Sequence, residues 1–263
     1  MIRFATLYSG SSGNATAIWA NEGVLLIDMG GSCRRTVTAL REIGLEPEDV
    51  KGILITHEHS DHIQGLRVFC RKYHVPVFAS KHTIDYFERN HWFDGEQELV
   101  LYQAEEPFHF CGFDIVPFEN SHDSISCHGF EVLKGNRKIT VCTDLGVFTE
   151  ETYRHLKGSQ LVALEANYDD WKLTHGPYPK LLQMRIRGEG GHLSNDDFAR
   201  AMVRLVQDGT KMMVLMHLSA ENNSPSDALT TCYRFLEEEG LSEDCCHLEI
   251  APRFETGPIL EVM

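Results

Sequence analysis

Three histidines and an aspartate lie within residues 57–62, directly after the apolar run 52–56. Side chains two positions apart point the same way in an extended backbone, so His57 and His59 can face one metal ion. Asp61 and His62 follow where the chain turns toward a helix, and they can face a second ion. Imidazole with carboxylate suits zinc, manganese or iron, whereas magnesium and calcium prefer oxygen ligands. The pattern predicts a metal site; a polar loop that is merely rich in histidine is the alternative.

Further ligands are expected at the ends of later strands, because four side chains cannot complete two coordination spheres. His122, Asp144 and His217 each follow a predicted strand and precede a polar turn. A single histidine in such a place is usually a surface or core residue, but these three together with residues 57–62 form a consistent ligand set. We therefore expect two divalent metal ions, with zinc, manganese and iron as the candidates.

The charge of the chain limits how it can bind a polyanion. The net charge is −15, from 24 lysines and arginines against 39 aspartates and glutamates. A field of this sign does not attract nucleic acid over the whole surface. Any polyanionic substrate must be bound locally, by metal ions and a few placed cations.

The cysteines and the apolar segments indicate where the protein works. Eight cysteines occur without a Cys-x-x-Cys pair, so a zinc ribbon or a redox motif of that type is absent. Reduced thiols are typical of the cytoplasm, which is the expected location. No apolar stretch approaches the ~18 residues of a membrane helix, and the first residues resemble a strand rather than a signal peptide. We expect no membrane partner, and the sequence leaves the oligomeric state open.

Strands and helices are interspersed in both halves of the chain, with no linker between the halves. The pattern predicts a single α/β domain over residues 1–263, with two sheets packed face to face and helices outside. For residues 90–110 the sequence leaves two alternatives, edge strands or a partly mobile flap. Strands are expected at 2–8, 15–20, 24–28, 52–56, 75–78, 113–118, 129–133, 138–142, 160–164, 211–216 and, as the last one, 247–251. Helices are expected at 32–43, 63–73, 81–89, 149–156, 179–186, 194–206 and 225–238.

The order of the candidate ligands along the chain resembles the metallo-β-lactamase fold, a four-layer αββα sandwich. The resemblance covers nearly the whole chain, and Asp28 matches an aspartate that supports the site without binding metal. The resemblance implies two metal positions that share one bridging aspartate. One position would use His57, His59 and His122, the other Asp61, His62 and His217, and Asp144 would bridge them.

A narrower resemblance is carried by residues 8–14 and 190–195, which are similar to the WalJ/YycJ-like bacterial proteins. These proteins are related to the RNase Z-like and β-CASP nucleases. Glu165 and His192 stand where RNase Z-like enzymes have a glutamate–histidine proton-transfer pair, although Asn167 replaces a threonine and Leu193 precedes the serine. The chain is too short for a β-CASP insertion of the usual size. The resemblance implies nuclease chemistry, with DNA exonuclease activity in this branch.

The expected catalytic residues are Asp61, Glu165 and His192. Two metals lower the pKa of a bridging water and stabilise the oxygens of a phosphodiester, while His192 protonates the leaving oxygen. A helix predicted to begin at Ser194 would present free N–H groups to a phosphate. Two nearby arginines could add contacts to its oxygens, or they could simply pair with neighbouring acids. They are Arg185 and Arg187.

Three functions are compatible with such a site. The first is a dinuclear-metal-dependent phosphodiesterase on nucleic acid, acting as an exonuclease at DNA ends by metal-activated hydroxide attack. The second is a small-molecule hydrolase of thioesters or lactones, which needs no basic groove. The third is a redox or regulatory metal protein, in which bound iron serves oxygen chemistry or the site only stabilises the structure. Ligand types alone do not decide the metal, and DNA against RNA preference and strand polarity are also open.

Overall fold

Fourteen strands in two sheets form the centre of the protein. The computed structural model describes residues 1–263. The first sheet has the order β14-β1-β2-β3-β4-β5-β6 and the second β13-β12-β11-β10-β9-β8-β7. The strands are β1 (Ile2–Tyr8), β2 (Ala15–Ala20), β3 (Gly23–Ile27), β4 (Val50–Leu54), β5 (Val77–Ala79), β6 (Leu99–Leu101), β7 (Phe108–Phe110), β8 (Phe113–Asn120), β9 (Cys127–Lys134), β10 (Arg137–Cys142), β11 (Leu161–Glu165), β12 (Met212–Met216), β13 (His247–Ile250) and β14 (Leu260–Val262).

Nine α-helices lie outside the sheets, and two short 3₁₀ turns precede β4 and β13. Serine, threonine or aspartate caps the N-terminus of six of them through its side chain. The helices are α1 (Cys33–Glu42), α2 (Ser60–Ile63), α3 (Leu66–Tyr73), α4 (Lys81–Arg89), α5 (Glu150–Leu156), α6 (Asp170–His175), α7 (Lys180–Arg187), α8 (Asn195–Gln207) and α9 (Pro225–Glu238).

Both faces of the central strands are buried, in different cores. In β3, Val24 and Leu26 pack toward the outer helices, whereas Leu25 and Ile27 pack between the sheets, as the two-residue period of a strand requires. One core lies between the two sheets. Two others lie beneath the helices, one formed with α1, α3 and α4 and the other with α5, α8 and α9. This arrangement confirms the predicted four-layer αββα sandwich.

Parallel strands bring the candidate site residues to one edge of the sandwich. Strands β3 to β6 are parallel in the first sheet, and β10 to β13 are parallel in the second. Side chains that follow the carboxyl ends of such strands meet at the same edge, where α/β proteins place their ligands. Asp28 follows β3, residues 56–59 follow β4, and Glu165 and His217 lie at the ends of β11 and β12.

Several local predictions are wrong and others are confirmed. The strand expected at 52–56 is Val50–Leu54, so His57 and His59 lie in the loop after β4 rather than in extended strand. The final strand is β14, which pairs with β1, and not 247–251. The helix α6 was not predicted. Residues 90–110 do contain edge strands, because β6 and β7 end the two sheets.

No helix is both long and apolar enough to cross a membrane. The eight cysteines are all free thiols.

Candidate active site

Three histidines form the first part of the candidate metal centre. His57 lies in the loop after β4, and His59 is the residue that precedes α2. Their ring centroids are 4.5 Å apart, and the ring of His122 lies 5.1 Å from His57 and 5.2 Å from His59. One ring nitrogen from each of the three lies within 4.8 Å of the others. The structure thus brings together the first predicted ligand set.

Asp144 lies at the centre of the site and contacts histidines from both sheets. Its carboxylate oxygens lie 3.2 Å from His62 Nε2, 3.1 Å from His217 Nδ1 and 3.8 Å from His122 Nε2. Asp61 completes the group, with Oδ2 3.6 Å from His62 Nε2 and 3.9 Å from His217 Nε2. All seven predicted ligands therefore lie in one place.

Three residues of the site have left-handed backbone conformations that are rare outside glycine. The φ angles are 60° at Asp28, 59° at Asp144 and 54° at His217. Each such conformation costs about 1–3 kcal/mol and persists only where the surrounding structure enforces it. All three occur where a strand ends, and they turn the side chain back toward the shared edge.

Buried polar atoms without partners show that the site fits metal ions. His57 Nε2, Asp144 Oδ2 and both ring nitrogens of His217 are buried and make no hydrogen bond. Some of them lie as close as 3.1 Å to a possible partner, yet without hydrogen-bonding geometry. Buried polar groups are almost always paired, so atoms that point toward a common centre indicate an ion there. Divalent metals suit these nitrogen and oxygen donors.

Outer hydrogen bonds select the ring nitrogen that three of the histidines offer. His62 Nδ1 donates to Asp28 Oδ2 over 2.7 Å, and His122 Nδ1 lies 3.0 Å from the carbonyl oxygen of Gly191. His57 Nδ1 lies 2.9 Å from the hydroxyl of Thr56. A ring that donates from Nδ1 keeps Nε2 free as a metal ligand, which is the usual arrangement in metalloproteins.

The histidines of the site fall into two groups, one with lowered and one with raised pKa values. Burial lowers the pKa of His57 well below its usual value, and burial also lowers the pKa of His59. Burial acts the same way on His62 and His217, but the carboxylate of Asp144 outweighs it and raises the pKa of His217 to about 10. Metal binding displaces protons from such ligands, so uptake of metal should release protons.

Asp28 and Thr56 hold the histidines in position. The Thr56 backbone N–H donates to Asp28 Oδ1 and its hydroxyl donates to Asp28 Oδ2, each over 2.8 Å. Burial raises the pKa of Asp28, and His62 opposes that rise. Thr56 was missed in the sequence, although it directly precedes the histidine cluster. Asn14, in the segment 8–14 that carries the narrower resemblance, also contacts the site; its amide nitrogen lies 3.1 Å from His62 Nε2.

The variant Asp28→Asn is expected to weaken metal binding about 10–100-fold, as losses of outer ligands usually do. One carboxylate oxygen becomes an NH₂ group, which cannot accept the hydrogen bonds from Thr56 and His62. Competition with a chelator measures the affinity. Unchanged affinity would show that Asp28 does not orient His62.

Glu165 and His192 form a hydrogen-bonded pair beside this cluster. His192 Nδ1 donates to Glu165 Oε1 over 2.8 Å, and Glu165 Oε2 accepts from the backbone N–H groups of Leu145 and Leu193. Burial raises the pKa of Glu165, but His192 outweighs it and brings that pKa to about 2. Burial lowers the pKa of His192, and the Glu165 carboxylate raises it above its usual value. Glu165 is the last residue of β11.

A family assignment follows from the sequence. The sequence profile of the β-lactamase superfamily domain matches residues 24–218. The chain belongs to this superfamily. It is 34% identical to exodeoxyribonuclease YycJ of Bacillus anthracis over 239 residues. This matched segment covers 91% of this chain and 90% of that protein. It is 35% identical to exodeoxyribonuclease WalJ of Streptococcus pneumoniae serotype 2 over 224 residues. This second matched segment covers 84% of this chain and 83% of that protein. The predicted WalJ/YycJ-like branch is confirmed.

Solved structures of the superfamily share the fold. The metallo-β-lactamase fold protein YhfI from Bacillus subtilis superposes with a TM-score of 0.75 at 13% identity, over 99% of this chain and 100% of that one. At this identity the likeness concerns the fold alone.

A cavity of about 310 Å³ opens onto the cluster of this β-lactamase superfamily member. Arg185 lines it, but the Arg185 guanidinium is paired with Asp123. Arg187 pairs with Asp170 over 2.9 Å and does not line the cavity. Ser194 is buried, and its hydroxyl contacts Asp197 as the cap of α8.

The predicted phosphate contacts therefore do not gather at this cavity. Ser194 and Arg187 do not line it, and Arg185 is already paired with a carboxylate. The sequence left open whether the two arginines bind phosphate or pair with acids. In the structure both of them pair with acids.

The variant Gly30→Ala is expected to lower the free energy of unfolding by about 3 kcal/mol and to displace Asp61. A Cβ at Gly30 would lie 1.5 Å from the carbonyl oxygen of Asp61, which is backbone and cannot move away alone. Thermal unfolding and metal content measure both effects. The matched control is Gly95→Ala, since a Cβ at Gly95 meets no atom within 4 Å. Equal stability of the two variants would contradict the prediction.

Proposed function

We propose that this protein is a dinuclear-metal-dependent phosphodiesterase that acts as an exonuclease on DNA ends. The observation that carries the proposal is the similarity to two exodeoxyribonucleases over most of the chain. The ligand cluster and the adjoining Glu165–His192 pair support it, because phosphodiester hydrolysis needs both charge stabilisation and a proton donor.

The seven clustered residues would hold two ions. His57, His59 and His122 form one set around one position, and their ligand atoms lie within 4.8 Å of one another. Asp61, His62 and His217 form the second set, and Asp144 lies within 3.8 Å of histidines from both. Bound divalent ions would supply Lewis acidity, making a water nucleophilic near neutral pH and stabilising charge on phosphate oxygens. Zinc, manganese and iron remain the candidates.

His192 would protonate the leaving oxygen of the cleaved phosphodiester. Its Nδ1 is bound to Glu165, so Nε2 is the nitrogen that remains for substrate, and the His192 side chain is 21% exposed in the cavity. The Glu165 carboxylate stabilises the imidazolium that can donate this proton. Asp61 also lines the cavity. In this proposal it would accept a hydrogen bond from the attacking water.

Purified protein with manganese, tested on end-labelled DNA beside a panel of thioesters and lactones, tests this proposal. We expect progressive release of nucleotides from DNA ends and no turnover of the panel. Turnover of thioesters or lactones alone would reject the nuclease and favour the small-molecule hydrolase. Metal-bound protein that turns over neither class would favour a redox or regulatory role.

We further propose a cytoplasmic location, on the basis of the eight free thiols. The assignment of residues 1–263 to one domain also stays a prediction. The core between the sheets supports it, since that core takes residues from both halves of the chain.

A further inference from the structure

A second cavity adjoins the metal pocket on the protein surface. Its volume is about 660 Å³, within the range of ~300–1,000 Å³ that ligand sites occupy. The two cavities share Ser11, Tyr178 and Ser219. The second cavity then extends to Arg253 and Phe254, which lie between β13 and β14. We call this second cavity the side groove.

Arg253 is the only cationic side chain that lines the side groove, and it forms no ion pair. Its guanidinium donates to the backbone carbonyl of Leu218, which orients the group without neutralising it. Arg185 in the metal pocket differs, because Asp123 neutralises it. In a chain with a net charge of −15, an unpaired guanidinium next to the active site is well suited to a phosphate. Glu221 is the one acidic residue of the side groove.

Phe254 offers an aromatic face at the end of the side groove. The residue is 69% exposed, which is unusual for phenylalanine. The Arg35 guanidinium lies 5.6 Å from its ring centroid and 4.0 Å from the ring of Tyr8, and Arg35 donates to the Arg253 carbonyl over 2.6 Å. These contacts hold the segment 253–254 in place while most of the Phe254 ring stays open to a ligand.

We infer that the side groove binds the single strand of nucleic acid that extends from the metal pocket. Arg253 contacts a backbone phosphate, and a base stacks on Phe254. Proteins that bind single strands combine cationic contacts to the backbone with aromatic platforms for the bases. The inference rests on the proposed function, because the wall of Ser11, Tyr178 and Ser219 that the side groove shares with the metal pocket is what identifies the occupant as substrate.

Binding of a short fluorescent single-stranded DNA, measured by anisotropy in the presence of EDTA, tests the inference without hydrolysis. We expect Phe254→Ala to bind about tenfold more weakly than wild type. Arg253→Gln should weaken binding and lower the slope of log K against log salt by about 0.7, the value for one phosphate contact on a single strand. Glu221→Gln should bind more tightly, because it removes repulsion of the strand.

Matched controls separate the side groove from general effects. Arg89→Gln on α4 removes the same charge elsewhere, and Val68→Ala on α3 removes another exposed apolar side chain. Neither residue lines the side groove, so both variants should bind as wild type does. Arg253→Lys keeps the charge and should keep the salt slope, which distinguishes a phosphate contact from loss of the Leu218 hydrogen bond.

Wild-type affinity in Phe254→Ala and an unchanged salt slope in folded Arg253→Gln would overturn the inference. Failure of the proposed function would look different. In that case the wild type would not hydrolyse DNA in the presence of manganese, whether or not it binds the single-stranded DNA. Absence of any DNA binding by the wild type would also reject the side groove as a nucleic-acid site.

Discussion

The variant His192→Ala is expected to hydrolyse DNA about 10²–10⁴-fold more slowly than wild type, the usual contribution of a general acid. The leaving oxygen of a phosphodiester departs with a charge that the imidazolium of His192 would neutralise. Glu165, 2.8 Å away, can orient that ring but cannot reach the substrate in its place. Single-turnover rates on end-labelled DNA measure the effect.

The leaving group shows whether His192 acts as a proton donor. A p-nitrophenyl nucleotide ester releases an anion that needs no proton, so His192→Ala should cleave it at nearly the wild-type rate. Metal content should also stay unchanged. The matched control is His155→Ala, because His155 Nδ1 contacts Glu131 over 2.6 Å in a similar pair away from the site. Equal losses on DNA and on the ester, or loss of metal, would contradict the donor role.

The variant Asp144→Asn is expected to lose metal and to hydrolyse DNA at least about 10³-fold more slowly. Asp144 is the carboxylate shared by both ligand sets, with oxygens 3.2 Å from His62 and 3.1 Å from His217. Asparagine keeps the shape but removes the negative charge. A loss of about 4 kcal/mol of charge stabilisation corresponds to that factor. Elemental analysis and DNA hydrolysis measure the two effects.

A second aspartate–histidine pair provides the control for Asp144. Asp114 contacts His109 Nδ1 over 2.8 Å, but both side chains are about two-thirds exposed. Asp114→Asn should therefore keep wild-type metal content and activity. Full metal occupancy in Asp144→Asn would reject its bridging role.

Much of the fold was predictable because the strands carry their own signals. Apolar runs such as 161–164 and 212–216 are long enough to mark buried parallel strands, and Ser194 and Ser80 mark the starts of helices. Apolar runs and helix caps are formed by residues that are close together in the sequence. The edge strands at 99–101 and 108–110 were predicted only as one of two alternatives, since three-residue strands carry little pattern.

The missed elements depend on distant parts of the chain. Strand β14 has three residues and exists because it pairs with β1, more than 250 positions away. Helix α6 has six residues and depends on its cap at Asp169, whose backbone N–H in turn donates to the carbonyl of Asn222. No local pattern reveals such contacts.

The ligand cluster was predictable because its residues are chemically unusual and follow strand ends. The histidine-rich stretch 57–62 marked the site, and the structure brings His122, Asp144 and His217 to it. Their metal binding stays a proposal, as do the catalytic roles. Thr56 was missed because a threonine has no distinctive chemistry of its own, and only its contacts in the fold show its role. Arg253 was missed because it lies far from the cluster in the sequence, and only the fold brings it close to the metal pocket.

The number and position of bound metal ions test the account most directly. Protein equilibrated with manganese should contain two ions per chain by elemental analysis. Anomalous scattering from crystals should place one ion among His57, His59 and His122 and the other among Asp61, His62 and His217, with Asp144 touching both. A pocket that stays empty, or that holds one ion while the other ligands turn away, would contradict the dinuclear mechanism.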